Sequence, residues 1–143
     1  MDIALNEAKA AATRGEVPVG AVLVSNSGEV LAQAGNRTRE RNDPTAHAEI
    51  NVIRAACEAL AQERLTGCDL YVTLEPCSMC ATAIAHARIA RIYYGASDAK
   101  SGGVECGARV FDHPQSHHKP EVYAGIAQQE SEALLKEFFE KLR

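Results

Sequence analysis

The chain contains no tryptophan, and aromatic residues make up only 5% of its 143 positions. None of its apolar runs approaches the ~20 residues that a membrane-spanning helix needs, so no membrane span is expected. Residues Met1 to Glu7 carry Asp2 and Glu7 and no basic cluster, and no signal peptide is expected there. Basic residues are also in deficit, 15 against 19 acidic ones for a formal charge of −4. A dedicated duplex-DNA binder is usually basic, so no DNA partner is expected and any contact with nucleic acid must be local. Disulfide-framework spacing is missing too: of five cysteines, two form a close pair, as suits a reducing compartment, with the cytoplasm as the default.

What is present is an ordinary globular composition, 46% apolar, in a chain long enough to bury a core. Internal repeats, low-complexity segments and linkers are absent from the sequence, so residues 1–143 read as one domain. Leu5, Ala8 and Ala12 recur at helical spacing, with Gly15 at a C-cap position. Residues 18–24 read as a strand opened by Pro18, Asn26-Ser27-Gly28 as a turn, and residues 29–34 as a second strand. Asp43-Pro44-Thr45 carries the signals of a helix start, and Ile50, Ile53, Cys57 and Leu60 are the expected buried face of that helix. Strands follow at residues 70–74 and 89–96, a short helix at 77–88, and a fifth strand is expected at 121–126. A final helix carries Leu134, Leu135, Phe138, Phe139 and Leu142 as an apolar stripe. Helices alternating with strands after a hairpin imply an α/β fold, a mixed sheet covered on both faces.

The chemistry is concentrated in two short motifs, His47-Ala48-Glu49 and, 30 positions after the histidine, Cys77-Ser78-Met79-Cys80 preceded by Pro76. Cys77 and Cys80 stand three apart at a helix start, which brings both sulfurs to one turn, where N–H groups and the positive helix end favour thiolate. His47 is expected in the first turn of the preceding helix. Two thiolates neutralise Zn²⁺, and an imidazole completes a donor set that suits this ion. Structural zinc sites are normally closed by four protein ligands, whereas catalytic ones keep a water in the fourth place. Three candidate ligands, His47, Cys77 and Cys80, with the carboxylate of Glu49 close by, therefore suggest catalysis. The pattern H-x-E followed by P-C-x-x-C is the signature of zinc-dependent nucleobase deaminases, in which the glutamate moves protons and does not bind the metal.

Further segments carry a wider resemblance. Pro18-Val19-Gly20-Ala21-Val22, Gly35-Asn36-Arg37, Asp43 to Ile50, Leu70 to Cys80 and Tyr94-Gly95-Ala96-Ser97-Asp98-Ala99-Lys100-Ser101-Gly102 together resemble the bacterial tRNA-specific adenosine deaminases of the cytidine deaminase superfamily. The resemblance implies a three-layer α/β/α cytidine-deaminase-like fold with a mixed five-stranded sheet flanked by helices. It implies hydrolytic conversion of adenosine to inosine at the wobble position of a tRNA anticodon loop, one zinc ion per subunit and a homodimer. By position it makes His47, Cys77 and Cys80 the metal ligands and Glu49 the proton shuttle. Asn36 would bind the flipped nucleotide, while Asp98 and Lys100 would lie near its neighbours. An anticodon loop offers unstacked bases, so extruding one costs less than opening a duplex. Arg37, Arg39 and Arg41 alternate, and in an extended segment they would share one side near the RNA.

Other readings compete with this one. The Cys77–Cys80 pair alone would fit a thioredoxin-like redox motif. A closed structural zinc site would need a fourth ligand from Cys106, His113, His117 or His118. Asn36, after Gly35, would serve equally to shape a turn. A deaminase acting on free guanine or cytosine would use the same metal site, and a catalytically silent zinc-binding RNA module would have no use for Glu49. Cys57 reads as core, whereas Cys68 and Cys106 sit in polar, turn-like surroundings.

Overall fold

The computed structural model describes residues 1–143. Four helices, α1 (Asp2–Thr13), α2 (Ala48–Leu60), α3 (Ser78–Ala87) and α4 (Gln128–Lys141), alternate with five strands. The strands are β1 (Gly20–Val24), β2 (Val30–Gly35), β3 (Asp69–Leu74), β4 (Arg91–Ala96) and β5 (Glu121–Tyr123), with a 3-10 turn at Val110–Asp112. They form one sheet in the order β2-β1-β3-β4-β5. β1 runs antiparallel to β2 and β3, while β3, β4 and β5 are parallel. The expected mixed five-stranded α/β architecture is therefore the one observed.

Strand alternation divides the layers. Ala21, Leu23, Leu70, Val72, Ile92 and Tyr94 join Ala48, Val52 and Ala56 of α2 and Ala81 and Ile84 of α3 in the main core. α1 and α4 pack against the sheet and each other, and α1 buries Ala4, Ala8 and Ala11 there. The approach of α1 is close: a Cβ on Gly20 would lie 2.0 Å from the carbonyl oxygen of Ala4 and 2.9 Å from the Glu7 Cβ. No helix is long and apolar enough to cross a membrane.

Several boundaries and faces differ from the sequence expectation. β1 begins at Gly20, not Pro18, because the Val19 N–H closes a tight turn onto the Val17 carbonyl at 2.8 Å. α2 begins at Ala48: Asp43 Oδ1 accepts both the Thr45 N–H (2.8 Å) and its hydroxyl (2.7 Å), so the Asp43-Pro44-Thr45 signal makes a turn and leaves His47 as the extended N-cap. The buried stripe of α2 is rotated to Ala48, Val52 and Ala56, and Leu60 is 40% exposed. Those small side chains at i, i+4 and i+8 let the helix lie close on the sheet. β5 ends at Tyr123 rather than residue 126, although the Ile126 N–H still reaches the Tyr94 carbonyl at 2.9 Å. On α4 only Ser131 is fully buried, and Phe139 and Leu142 of the expected stripe are exposed. Cys68 is buried in the core, not set in a polar turn.

Glu16, just after α1, is 1% exposed. Its carboxylate accepts the N–H groups of Arg39 (3.2 Å) and Glu40 (2.8 Å) and the Thr38 hydroxyl (3.3 Å), tying the α1–β1 connection to the chain beyond β2. Burial pushes this acid up, but the donors from Glu40, Arg39 and Thr38 and the charge of Arg14 outweigh it and hold it below its ordinary value. A carboxylate lowered in the folded state stabilises the fold above its unfolded pKa, and that contribution disappears as pH falls through the folded value. Glu16→Ala is therefore expected to cost about 1–3 kcal/mol at pH 7, from buried donors left unmatched. Urea unfolding of both proteins at pH 7 and again well below 4.5 should show the difference shrinking in acid.

Candidate active site

α2 and α3 lie side by side on the same face of the sheet, and both begin at the same end of the molecule. His47 is the N-cap of α2, Cys77 the N-cap of α3, and Cys80 lies in the first turn of α3. The extended backbone of each cap turns its side chain toward the gap between the helix ends. His47 Nδ1 lies 3.6 Å from Cys77 Sγ and 3.5 Å from Cys80 Sγ. All three donor atoms fall within 4.8 Å of one another. Zinc–sulfur bonds of ~2.3 Å and zinc–nitrogen bonds of ~2.0–2.1 Å at tetrahedral angles set N and S about 3.6 Å apart, so the trio fits zinc without rearrangement.

No fourth side chain joins this group. His113 Nε2 is 2.9 Å from the Ala108 carbonyl and His118 Nε2 is 2.7 Å from that of Ile89. Cys106 and His117 stand outside the cluster as well. The closed structural site is thereby set aside, and a redox pair has no need of an imidazole equidistant from both sulfurs. The three groups titrate as a unit. A hydrogen bond from Cys80, joined by one from His47, holds Cys77 as thiolate with a pKa of about 4, against the opposing effect of burial. The same bond to Cys77, with burial, pushes Cys80 up, and the Cys77 thiolate raises His47.

His47 and Cys77 line a cavity of about 230 Å³ together with Asn36, Thr38, Glu49, Glu75, Asp98 and Ser101, while Cys80 is fully buried and outside the lining. This is below the ~300–1,000 Å³ of a drug-sized pocket and suits a small flat group. A larger hollow of about 380 Å³ between α3 and residues 108–117 contains none of the metal ligands, so the smaller cavity is the one with chemistry. Glu49, in the first turn of α2, is 4% exposed. Burial raises its carboxyl group, with His47 acting in the opposite direction. A carboxyl raised toward neutrality can carry a proton in either direction.

Asn36 lines the cavity and also ties β2 to the start of α2. Its Oδ1 accepts the Ala48 N–H at 2.8 Å, satisfying one orphan donor of α2, and its carbonyl accepts Arg14 Nη2 at 3.0 Å. Its amide nitrogen has no hydrogen-bond partner within the chain, and the residue lines the cavity. Asp98 also lines the cavity, but its Oδ1 accepts the N–H groups of Lys100 (3.1 Å) and Ser101 (2.9 Å). Lys100 is exposed on that turn and is not part of the lining. Residues 38–42 form turns, not the extended segment that would align Arg37, Arg39 and Arg41; Arg37 pairs with Glu40, and Arg41 donates to Asn51 Oδ1 at 3.3 Å. Thr38 and the buried acids Glu16 and Glu75 are not singled out by the sequence, because their partners are 22 or more residues away.

The purified chain is expected to hold about one zinc ion per polypeptide by atomic emission, since three preformed donors of this kind bind it tightly. Cys80→Ser or His47→Ala should lose most of that metal, and chelation should lower the thermal midpoint of the parent protein.

Residues 1–96 match the family described as the cytidine and deoxycytidylate deaminase zinc-binding region. The tRNA-specific adenosine deaminase of Agrobacterium fabrum is 62% identical over 143 residues, covering 100% of this chain and 93% of that protein. A structure from biochemical and structural studies of A-to-I editing by tRNA:A34 deaminases at the wobble position superposes with a TM-score of 0.93 at 64% identity, over 94% of this chain and 97% of the other. Guanine deaminase from Nitrosomonas europaea, at 21% identity and a TM-score of 0.78 over 96% of this chain and 81% of the other, shares the fold. With the His47, Cys77 and Cys80 zinc site in place, the chain belongs to the cytidine and deoxycytidylate deaminase family, among its tRNA-specific adenosine deaminases.

Proposed function

We propose that this protein deaminates adenosine to inosine at the wobble position of a tRNA anticodon loop. The observation that carries the reading is the full-length similarity, at 62% identity, to a tRNA-specific adenosine deaminase, joined to a site that offers three protein ligands for zinc. His47, Cys77 and Cys80 would hold zinc, which would supply a Lewis acid able to bring the pKa of water to roughly 7.

The protein's own residues do the rest. Glu49, buried beside the trio, takes a proton from the attacking water, passes it to the adenine ring nitrogen and later protonates the departing ammonia. Water adds at C6; Glu49 then takes the proton of the new C6 hydroxyl and delivers it to the amino group, so that the C6–N bond breaks, ammonia leaves and the carbonyl of inosine remains with the first proton on the ring nitrogen. Asn36 donates from its amide nitrogen to the flipped nucleotide, fixed in direction by the Ala48 N–H on its oxygen. Asp98 and Lys100 attend the neighbouring nucleotides, Asp98 from the cavity wall and Lys100 from the exposed turn. The small cavity admits one base, which an anticodon loop can extrude at little cost. The reading extends to a homodimer acting in the cytoplasm, on the strength of the family resemblance.

An anticodon stem-loop with adenine at the wobble position should yield inosine, while free adenosine, guanine and cytosine should react poorly. Glu49→Ala should retain its zinc and lose about 10²–10⁴ in kcat, the usual share of a positioned proton carrier. Ammonia released from a free base with the stem-loop untouched would move the protein to nucleobase metabolism, and zinc-loaded protein inert on every substrate would make it a binding module. Sedimentation at twice the chain mass would support the dimer.

A further inference from the structure

Glu75 lies between β3 and α3, two residues before Cys77, and is 2% exposed. It is not one of the metal ligands. Its Oε1 accepts the N–H of Asp98 at 3.0 Å, and Oε2 accepts those of Val104 (3.2 Å), Glu105 (2.9 Å) and Cys106 (2.9 Å). Four backbone donors thus converge on one buried carboxylate from both ends of a single segment, residues 98–106. That segment has no helix or strand of its own. It is also tied by the Gly103 N–H to the Pro76 carbonyl and the Val110 N–H to the Gly103 carbonyl, both at 2.8 Å, by the Tyr94 hydroxyl to Glu105, and by a single bridge pairing Cys77 with Gly102. The chain lies flush on the acid: a Cβ on Gly102 would come within 2.4 Å of the Asp98 carbonyl oxygen and 2.7 Å of Glu75 Oε2.

Burying a carboxylate is costly unless hydrogen bonds replace its hydration. Here the replacement comes from four backbone N–H groups, joined by the Cys106 thiol, so the charge and the shape of the segment depend on each other. The segment matters to the site because Asp98 and Ser101 on it line the cavity. We propose that Glu75 is a positioning residue for the polynucleotide: it sets the shape of the 98–106 rim and thereby places Asp98 and Ser101 against the nucleotides flanking the reacting base. This rests on the tRNA deaminase reading above. The base and its proton transfers are served by Asn36 and Glu49, which Glu75 does not hold. Loss of the staple therefore falls on binding of the flanking RNA more than on the chemical step.

The test uses the zinc-loaded full chain and its Glu75→Gln variant, with an anticodon stem-loop as substrate. KM should rise about ten-fold or more, as expected for losing charge-assisted bonds that order a binding surface, while kcat falls less. Zinc content and thermal midpoint should stay near those of the parent. In hydrogen–deuterium exchange the amides of Asp98, Val104, Glu105 and Cys106 should exchange at least about ten-fold faster, with α2 and α3 unchanged. Gly102→Ala breaks the same contact from the loop side and carries the test if Glu75→Gln does not fold. An unchanged KM, unchanged exchange in the rim, or losses of kcat, zinc and midpoint in parallel would overturn the proposal. A parent protein inert on the stem-loop would overturn the deaminase reading and this proposal with it.

Discussion

Everything chemical in this protein depends on two helix N-termini meeting at one point. α2 and α3 pack on the same face of the sheet, and their caps, His47 and Cys77, face each other. A helix start concentrates unsatisfied N–H groups and positive potential, the environment in which a sulfur prefers to be thiolate. The core beneath consists of small residues, Ala48, Val52 and Ala56 on α2 and Ala81 and Ile84 on α3, all essentially inaccessible to solvent. Such packing leaves little freedom for one helix to slide along the other. The donor spacing is thus a property of the core rather than of the three ligands.

The walls of the cavity are held by a different device. Neither rim is regular structure, and each is pinned by a buried acid, Glu16 under residues 38–40 and Glu75 under residues 98–106. Asn36 links the first rim to the helix that bears Glu49. Backbone N–H groups gathered on a carboxylate give an irregular loop a definite shape without requiring particular side chains on it. The rim side chains are then free to meet a substrate.

Much of this was legible in the sequence. The element order, the mixed sheet, the three metal ligands and Glu49 follow from spacing and residue type, since period and motif are local properties. Hydrophobic periodicity held only in part on α2: Ile50 is buried and Ile53 and Cys57 pack partly buried against the core, but Ala48, Val52 and Ala56 form the fully buried stripe and Leu60 is exposed. It also overstated α4, whose Phe139 and Leu142 remain exposed. Alternating arginines suggested a basic stripe, but Arg37 is paired with Glu40 and the segment turns.

The sequence by itself determined which chemistry is available, because an imidazole, two thiolates and a carboxylate at that spacing have few other uses. Only the tertiary structure decided that Nδ1 of His47 faces both sulfurs and that no distant cysteine or histidine closes the site. It also showed that Asn36 both caps a helix and lines the cavity, and that Glu16 and Glu75 organise its rims. Each of these depends on groups tens of residues apart arriving at one place, and neither local propensity nor hydrophobic period carries information about such meetings.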